Sequence, residues 1–89
     1  MCRNIKTLFN FEPPVTEEEM RLAALQFVRK VSGINKPSKA NEAAFLAAVD
    51  AITAVESTLL HSLETNAPPR NREREEALAR ARSARRFPQ

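Results

Sequence analysis

From Lys39 to Thr65 the chain places Phe45, Ala48, Val49, Ile52, Val55, Leu59 and Leu63 close to heptad spacing, the mark of an amphipathic helix. At 1.5 Å per residue such a helix is ~40 Å long. In a chain of 89 residues an element of that length dictates the fold, because everything else must be arranged along it. A chain this short buries only ~60% of the surface of its unfolded form, so each covering element matters. It has one glycine, too few for a turn-rich all-β fold, and abundant alanine, which favours helix.

A second helix is expected over about Glu17 to Ser32. Thr16 and Glu19 form a T-x-x-E capping box, and Glu17, Glu18 and Glu19 load the positive end of the dipole. Gly33 is positioned as a left-handed C-cap. Met20, Ala23, Ala24, Phe27, Val28 and Val31 share one face at 100° per residue, while Leu22 and Leu25 point to the back. The short connector "SGINKPSK", with Ser38 as the next cap, makes the two helices an antiparallel hairpin.

The shorter helix, ~24 Å long, cannot cover the longer one. Val55, Leu59, Leu60 and Leu63 lie beyond its reach. The N-terminal segment supplies Ile5, Leu8, Phe9 and Phe11, each worth ~1.5–3 kcal/mol when buried. Residues 1–12 are therefore expected over the C-terminal half of the long helix, extended or partly helical. A third helix is expected from about Asn71, its N-cap, to Arg86. Its docking is predicted through Ala77, Leu78, Ala81 and Ala84, with fraying beyond Arg82. The predicted fold is all-α: a hairpin of about 17–32 and 39–65, a docked N-terminal segment and a short Arg-rich third helix. The organisation divides into a helical domain, 1–69, and an Arg-rich helix and tail, 70–89.

Charge follows the same division. Residues 1–69 carry seven Lys/Arg against eight Asp/Glu, and residues 70–89 carry seven Arg against three Glu. Arg29, Lys30, Lys36 and Lys39 surround the connector, and Arg70, Arg72, Arg74 and Arg80 belong to the tail. These are the candidate contacts for a partner or for nucleic-acid phosphates. The tail arginines are spread around the helix, interrupted by Glu73, Glu75 and Glu76, and no aromatic platform accompanies them. The sequence "GINKPS" is not a phosphate loop, which needs two spaced glycines before Lys-Ser/Thr.

Chemistry has few carriers. Cys2, exposed as a new N-terminus by removal of Met1, would place a thiol beside a basic α-amine, and His61 is the sole histidine. These two are the weak catalytic candidates. His61 falls on the polar face of its helix, and no oxyanion site is recognisable. One Cys and one His cannot supply a zinc site, so no metal and no cofactor are expected. A lone cysteine suits a reducing compartment. No apolar run approaches ~18 residues and no secretory signal opens the chain, so the expectation is a cytoplasmic protein without a membrane span.

Glu56 is the most informative charged residue. It falls inside the apolar stripe, among Val49, Ile52, Leu60 and Leu63, where a carboxylate needs a partner or an exit to water. Arg3 and Lys6 of the N-terminal segment are the expected partners of a buried ion pair. The back-facing Leu22 and Leu25, with Leu46, suggest a second apolar surface and a homodimer or protein partner.

The stretches "MCRNIKTLFNFEPP", "QFVRKVSG", "KPSKANEAAF" and "APPRNREREEALARARSARRF" resemble a family of short bacterial proteins of unknown function whose members open with Met-Cys-Arg-Asn-Ile-Lys. The resemblance spans nearly the whole chain. It implies a free-standing, single-domain cytoplasmic protein and brings no active site with it. The ending "RFPQ" departs from the Arg-Phe-Gly ending of that family. The functional expectation is a small non-enzymatic interaction or accessory module. The alternatives are a nucleic-acid-associated protein and a thiol-dependent activity at Cys2.

Overall fold

Residues 5–86 are described by the computed structural model, with the side chains of Ser83, Arg85 and Arg86 left out. In chain order the elements are β1 (Phe11–Glu12), α1 (Glu17–Ser32), α2 (Lys39–Ser62), β2 (Arg70–Asn71) and α3 (Arg72–Arg86). The fold is all-α. A single two-residue bridge, β1 parallel to β2 with Phe11 opposite Arg70, is its only sheet among the described residues.

The start and end of α1 follow local chemistry. Thr16 accepts from the Glu19 amide at 3.2 Å, and Glu19 Oε1 accepts from the Thr16 amide at 3.1 Å, so the capping box forms in both directions. Gly33 ends the helix at φ 71°, the left-handed region where a Cβ would be strained, and its amide donates to Arg29 O.

The two long helices pack antiparallel around Ala24, Val28, Phe45 and Val49, with Leu25, Ile34, Ala48 and Ile52 at the edge. Ala24 is wholly buried and Val49 nearly so. The small Ala23 and Ala24 let the helices approach, so the seam centres there. Thr53 is buried on this seam and donates its hydroxyl to Val49 O at 2.7 Å, which satisfies it within the helix.

Several expectations are corrected by the packing. Phe27 and Val31 were assigned to the buried face of α1 but are exposed, at 48% and 71%. Met20, on the same face nearer the N-terminus, borders the N-terminal segment and is buried. That segment reaches only this end of α1, and nothing among the described residues covers Phe27 or Val31. The expected stripe of α2 is also rotated: Phe45, Val49 and Thr53 are buried, Glu56 and Leu60 are half-buried, and Val55, Leu59 and Leu63 are exposed.

The end of α2 is at Ser62, not Thr65. Its last turn holds side chains that bond back to the backbone: Ser62 Oγ to Thr58 O at 2.6 Å, and His61 Nδ1 to Ser57 O at 2.7 Å. No glycine follows to make a left-handed cap, and Leu63 turns extended instead. Asp50 and Glu56 interrupt its apolar runs, yet α2 is by length and composition long and apolar enough to cross a membrane. That corrects the view that no segment reaches this threshold.

The N-terminal segment is extended, and it does not lie over Val55 and Leu59 as expected. Asn10 redirects it. Its φ is 64°, a left-handed conformation that asparagine tolerates, and its Nδ2 donates to Pro68 O at 3.2 Å and Ala67 O at 3.4 Å. The Arg70 amide donates to Asn10 O at 2.7 Å. Leu8–Phe11 are thereby tied to the linker after α2, and they border Met20, Leu60 and His61. Of the four apolar residues that α1 leaves uncovered, only Leu60 is half-buried.

For α3, Asn71 acts as the N-cap through Oδ1, which accepts from the Arg74 amide at 2.8 Å. The helix runs to Arg86, past Arg82 beyond which fraying is expected. It does not dock through Ala77, Leu78, Ala81 and Ala84, all of which are exposed. Its inward side is the half-buried Arg72 and Glu75, with Ala79 and Arg82 on the same groove. A helix with a single large aliphatic residue gains little from burial, and the charged pair at Arg72 decides its orientation.

Candidate functional site

The described part of the molecule is thin: its Cα atoms span 43 × 40 × 16 Å. Two helices side by side with an arm form one layer, and one layer has two outer faces. The sites to weigh are the grooves at the α3 end, the connector end, and the outer face of α2.

At the α3 end, Glu19 and Arg72 form a partly buried ion pair, with side chains 23% and 26% exposed. Arg70 lies over the Phe11 ring, 5.8 Å from its centroid. Lys6, Glu75 and Arg82 complete a groove of about 240 Å³. Charges of both signs face one another across it. The groove is the docking seam of α3, and no single ligand charge fits it.

A second groove, of about 220 Å³, runs between Leu8–Phe11 and the end of α2 at Leu60 and His61. The N-terminal segment does approach His61, as anticipated. His61 is exposed, and its bond to Ser57 O requires the proton on Nδ1. Cys2 lies outside the described residues. Among the described residues, no three His, Cys, Asp or Glu side chains converge as metal ligands.

Glu56 sits on the seam, half-buried, as its place in the stripe implied. Its Oε2 is buried without a hydrogen-bond partner among the described residues. Desolvation raises its carboxyl above the ordinary 4.5. The expected pair with Lys6 is not formed. Lys6 is exposed and lines the α3 groove, because Asn10 turns the N-terminal segment toward the 67–71 linker. Arg3, the other expected partner, lies outside the described residues.

The basic residues fall into two separate groups. Arg29 donates through Nε to Asn35 O at 3.1 Å and closes the connector, with Lys30, Lys36 and Lys39 exposed around it. Arg70 and Arg72 are engaged at the opposite end of α1, with Arg74 and Arg80 exposed on α3. The 16 residues of α1 separate the groups by ~24 Å. An ion pair between Arg21 and Asp50 clips the two long helices at their exposed edge.

The surface that the sequence reading missed is the outer face of α2. Ala54, Val55, Thr58, Leu59 and Ser62 line an open trough of about 500 Å³. Val55 is 67% exposed and Leu59 is 54% exposed. Both are expected from the sequence to lie beneath the N-terminal segment, which runs elsewhere. Leu22 and Leu46, expected to mark an apolar surface, are exposed, but they lie on other faces and do not join this trough. Leu25 is absorbed at the edge of the core. The usable signal was local: the line of residues through Ala44, Ala51, Val55 and Ser62 carries no charge along the whole helix.

No curated protein and no solved structure matches the chain. A family model does match, over residues 1–78, and its description is of an uncharacterized conserved protein. It takes in the N-terminal segment, both long helices and the first turns of α3, the parts that Asn10 and Glu19 hold together. The chain belongs to the family of uncharacterized conserved proteins designated DUF2277.

Proposed function

We propose that the protein is a small helical interaction module whose working surface is the outer face of α2. The observation that carries this is the exposure of Val55 and Leu59 in an open trough, on a helix whose other side is packed against α1. Exposed Val and Leu side by side cost solubility, and a contiguous apolar face marks a contact surface more often than an idle one. No step of catalysis is assigned to it. A cytoplasmic location goes with this reading, since a lone cysteine suits a reducing compartment.

Nucleic-acid association through the connector and tail cations has less behind it. The two groups are ~24 Å apart at opposite ends of α1, and two of the tail arginines are already engaged. Titration with RNA and DNA at low salt tests that alternative directly.

The module reading is tested by placing a photo-crosslinking amino acid at Leu59 in the living host. Discrete protein adducts are expected. Illumination that yields none from Leu59, while the protein is folded and abundant, overturns the reading.

A further inference from the structure

We infer that the occupant of the outer face of α2 is a second copy of this chain, packed antiparallel about a two-fold axis near Ala51. The inference rests on the module reading above and names its partner. It begins with an arrangement of side-chain sizes. At 100° per residue, Ala44, Ala51, Val55, Leu59 and Ser62 fall within one arc of α2, on the exposed flank that begins at the core edge of Ala48 and Ile52. The N-terminal half of that arc holds Asn41 and alanines, and the C-terminal half holds the larger Val55 and Leu59.

A graded face is complementary to itself in one direction only. With the two-fold axis at Ala51, antiparallel pairing sets Val55 of one copy against the exposed Ala47 of the other, and Leu59 near the exposed Ala44. Small residues receive large ones at each step, and two identical contacts form by symmetry. Parallel pairing would stack Leu59 on Leu59 and leave Ala44 facing Ala44 across a gap.

The shape of the described chain agrees. Its radius of gyration is 15.6 Å, against about 12 Å for a compact domain of this length. The Cα atoms of the described residues form a slab only 16 Å thick, with Val55 and Leu59 uncovered on α2, and a second copy supplies their cover. A 24-residue helix offers a strip of ~36 by ~12 Å. Two such corrugated strips bury on the order of 1,000 Å², the lower bound for a specific interface, which suits a dimer of micromolar affinity.

Analytical ultracentrifugation of the full chain, from about 1 to about 200 µM to bracket that affinity, reads the mass directly. The expected result is a rise from 10.0 kDa to about twice that mass. The double variant Val55→Asp/Leu59→Asp should lose the heavier species, with its helical circular dichroism unchanged. Direction is read in a Cys2→Ser background: Ala51→Cys should oxidise to a disulfide-linked dimer, and Leu59→Cys should not. Efficient dimers from Leu59→Cys would mean parallel pairing and overturn the register. A monomer at all concentrations overturns the homodimer, and the photo-crosslinking adduct then separates the two ideas. A protein adduct of another mass keeps the module reading and sinks this one. Cosedimentation of the monomer with phospholipid vesicles, abolished by Val55→Asp/Leu59→Asp, sinks both.

Discussion

Glu19 holds two structures at once: its Oε1 accepts from the Thr16 amide that opens α1, and its Oε2 accepts from the guanidinium of Arg72 that opens α3. One carboxylate therefore caps a helix and anchors an arm. The two roles separate by substitution. Arg72→Ala removes the anchor alone and should cost α3 ~1 kcal/mol, about a fivefold increase in its opening, since the pair is partly solvated. Amide exchange across α3 should speed up while α1 is unchanged. Glu19→Ala should speed both, the lost cap adding ~1 kcal/mol, whereas glutamine at position 19 keeps the cap and loses the anchor. Unchanged exchange in α3 for Arg72→Ala would show that the pair does not hold the arm.

Asn10 combines a left-handed backbone with hydrogen bonds from its amide to the Pro68 and Ala67 carbonyls. Asn10→Gly keeps the conformation without strain and loses the side-chain bonds, at ~1 kcal/mol. Asn10→Ala loses the bonds and adds left-handed strain, for ~2 kcal/mol in all. The order of denaturation midpoints should be Asn, then Gly, then Ala. Equal midpoints for Gly and Ala would mean that the chain at position 10 relaxes out of the left-handed region.

Glu56 should give a pH dependence of the less common sign. Burial raises its folded carboxyl above the ordinary 4.5, so the folded chain holds this proton more tightly than the unfolded chain does. Its favourable contribution is complete below the unfolded value. It is lost as pH rises through the raised folded value. Glu56→Gln, which never ionises, should gain on the wild type as pH rises above the ordinary carboxyl value of 4.5 and have the higher midpoint at neutral pH. A lower midpoint for Glu56→Gln at pH 7 would show that the carboxylate is paired after all.

Local signals were the legible ones. The bounds of α1, its capping box and the left-handed Gly33 were readable because a cap involves residues only a few positions apart. The Asn71 cap of α3 was readable for the same reason, and α2 starts after Pro37 as expected although the Ser38 side chain makes no cap bond. Glu56 was identified as a charge inside an apolar stripe, and it is on the seam. Its expected pair with Lys6 failed because Asn10, a residue with no apolar or charge signal, redirects the N-terminal segment. The Glu19–Arg72 pair joins residues 53 positions apart, and neither pattern nor propensity reports on such a distance.

By itself the sequence determined that this chain is helical, where its helices begin, and that α2 is too long for α1 to cover. Periodicity and capping are properties of neighbouring residues, and they survive any tertiary arrangement. Only the tertiary structure decided which side of α2 faces α1. Val55 and Leu59 satisfy the heptad pattern as well as Thr53 and Leu60 do in position, and they are more apolar than Thr53. The choice went to the side where Ala24 and Val28 pack closely on Phe45 and Val49, because close packing of a few residues outweighs the hydropathy of any one of them. The face left outside is the surface on which the proposed function rests.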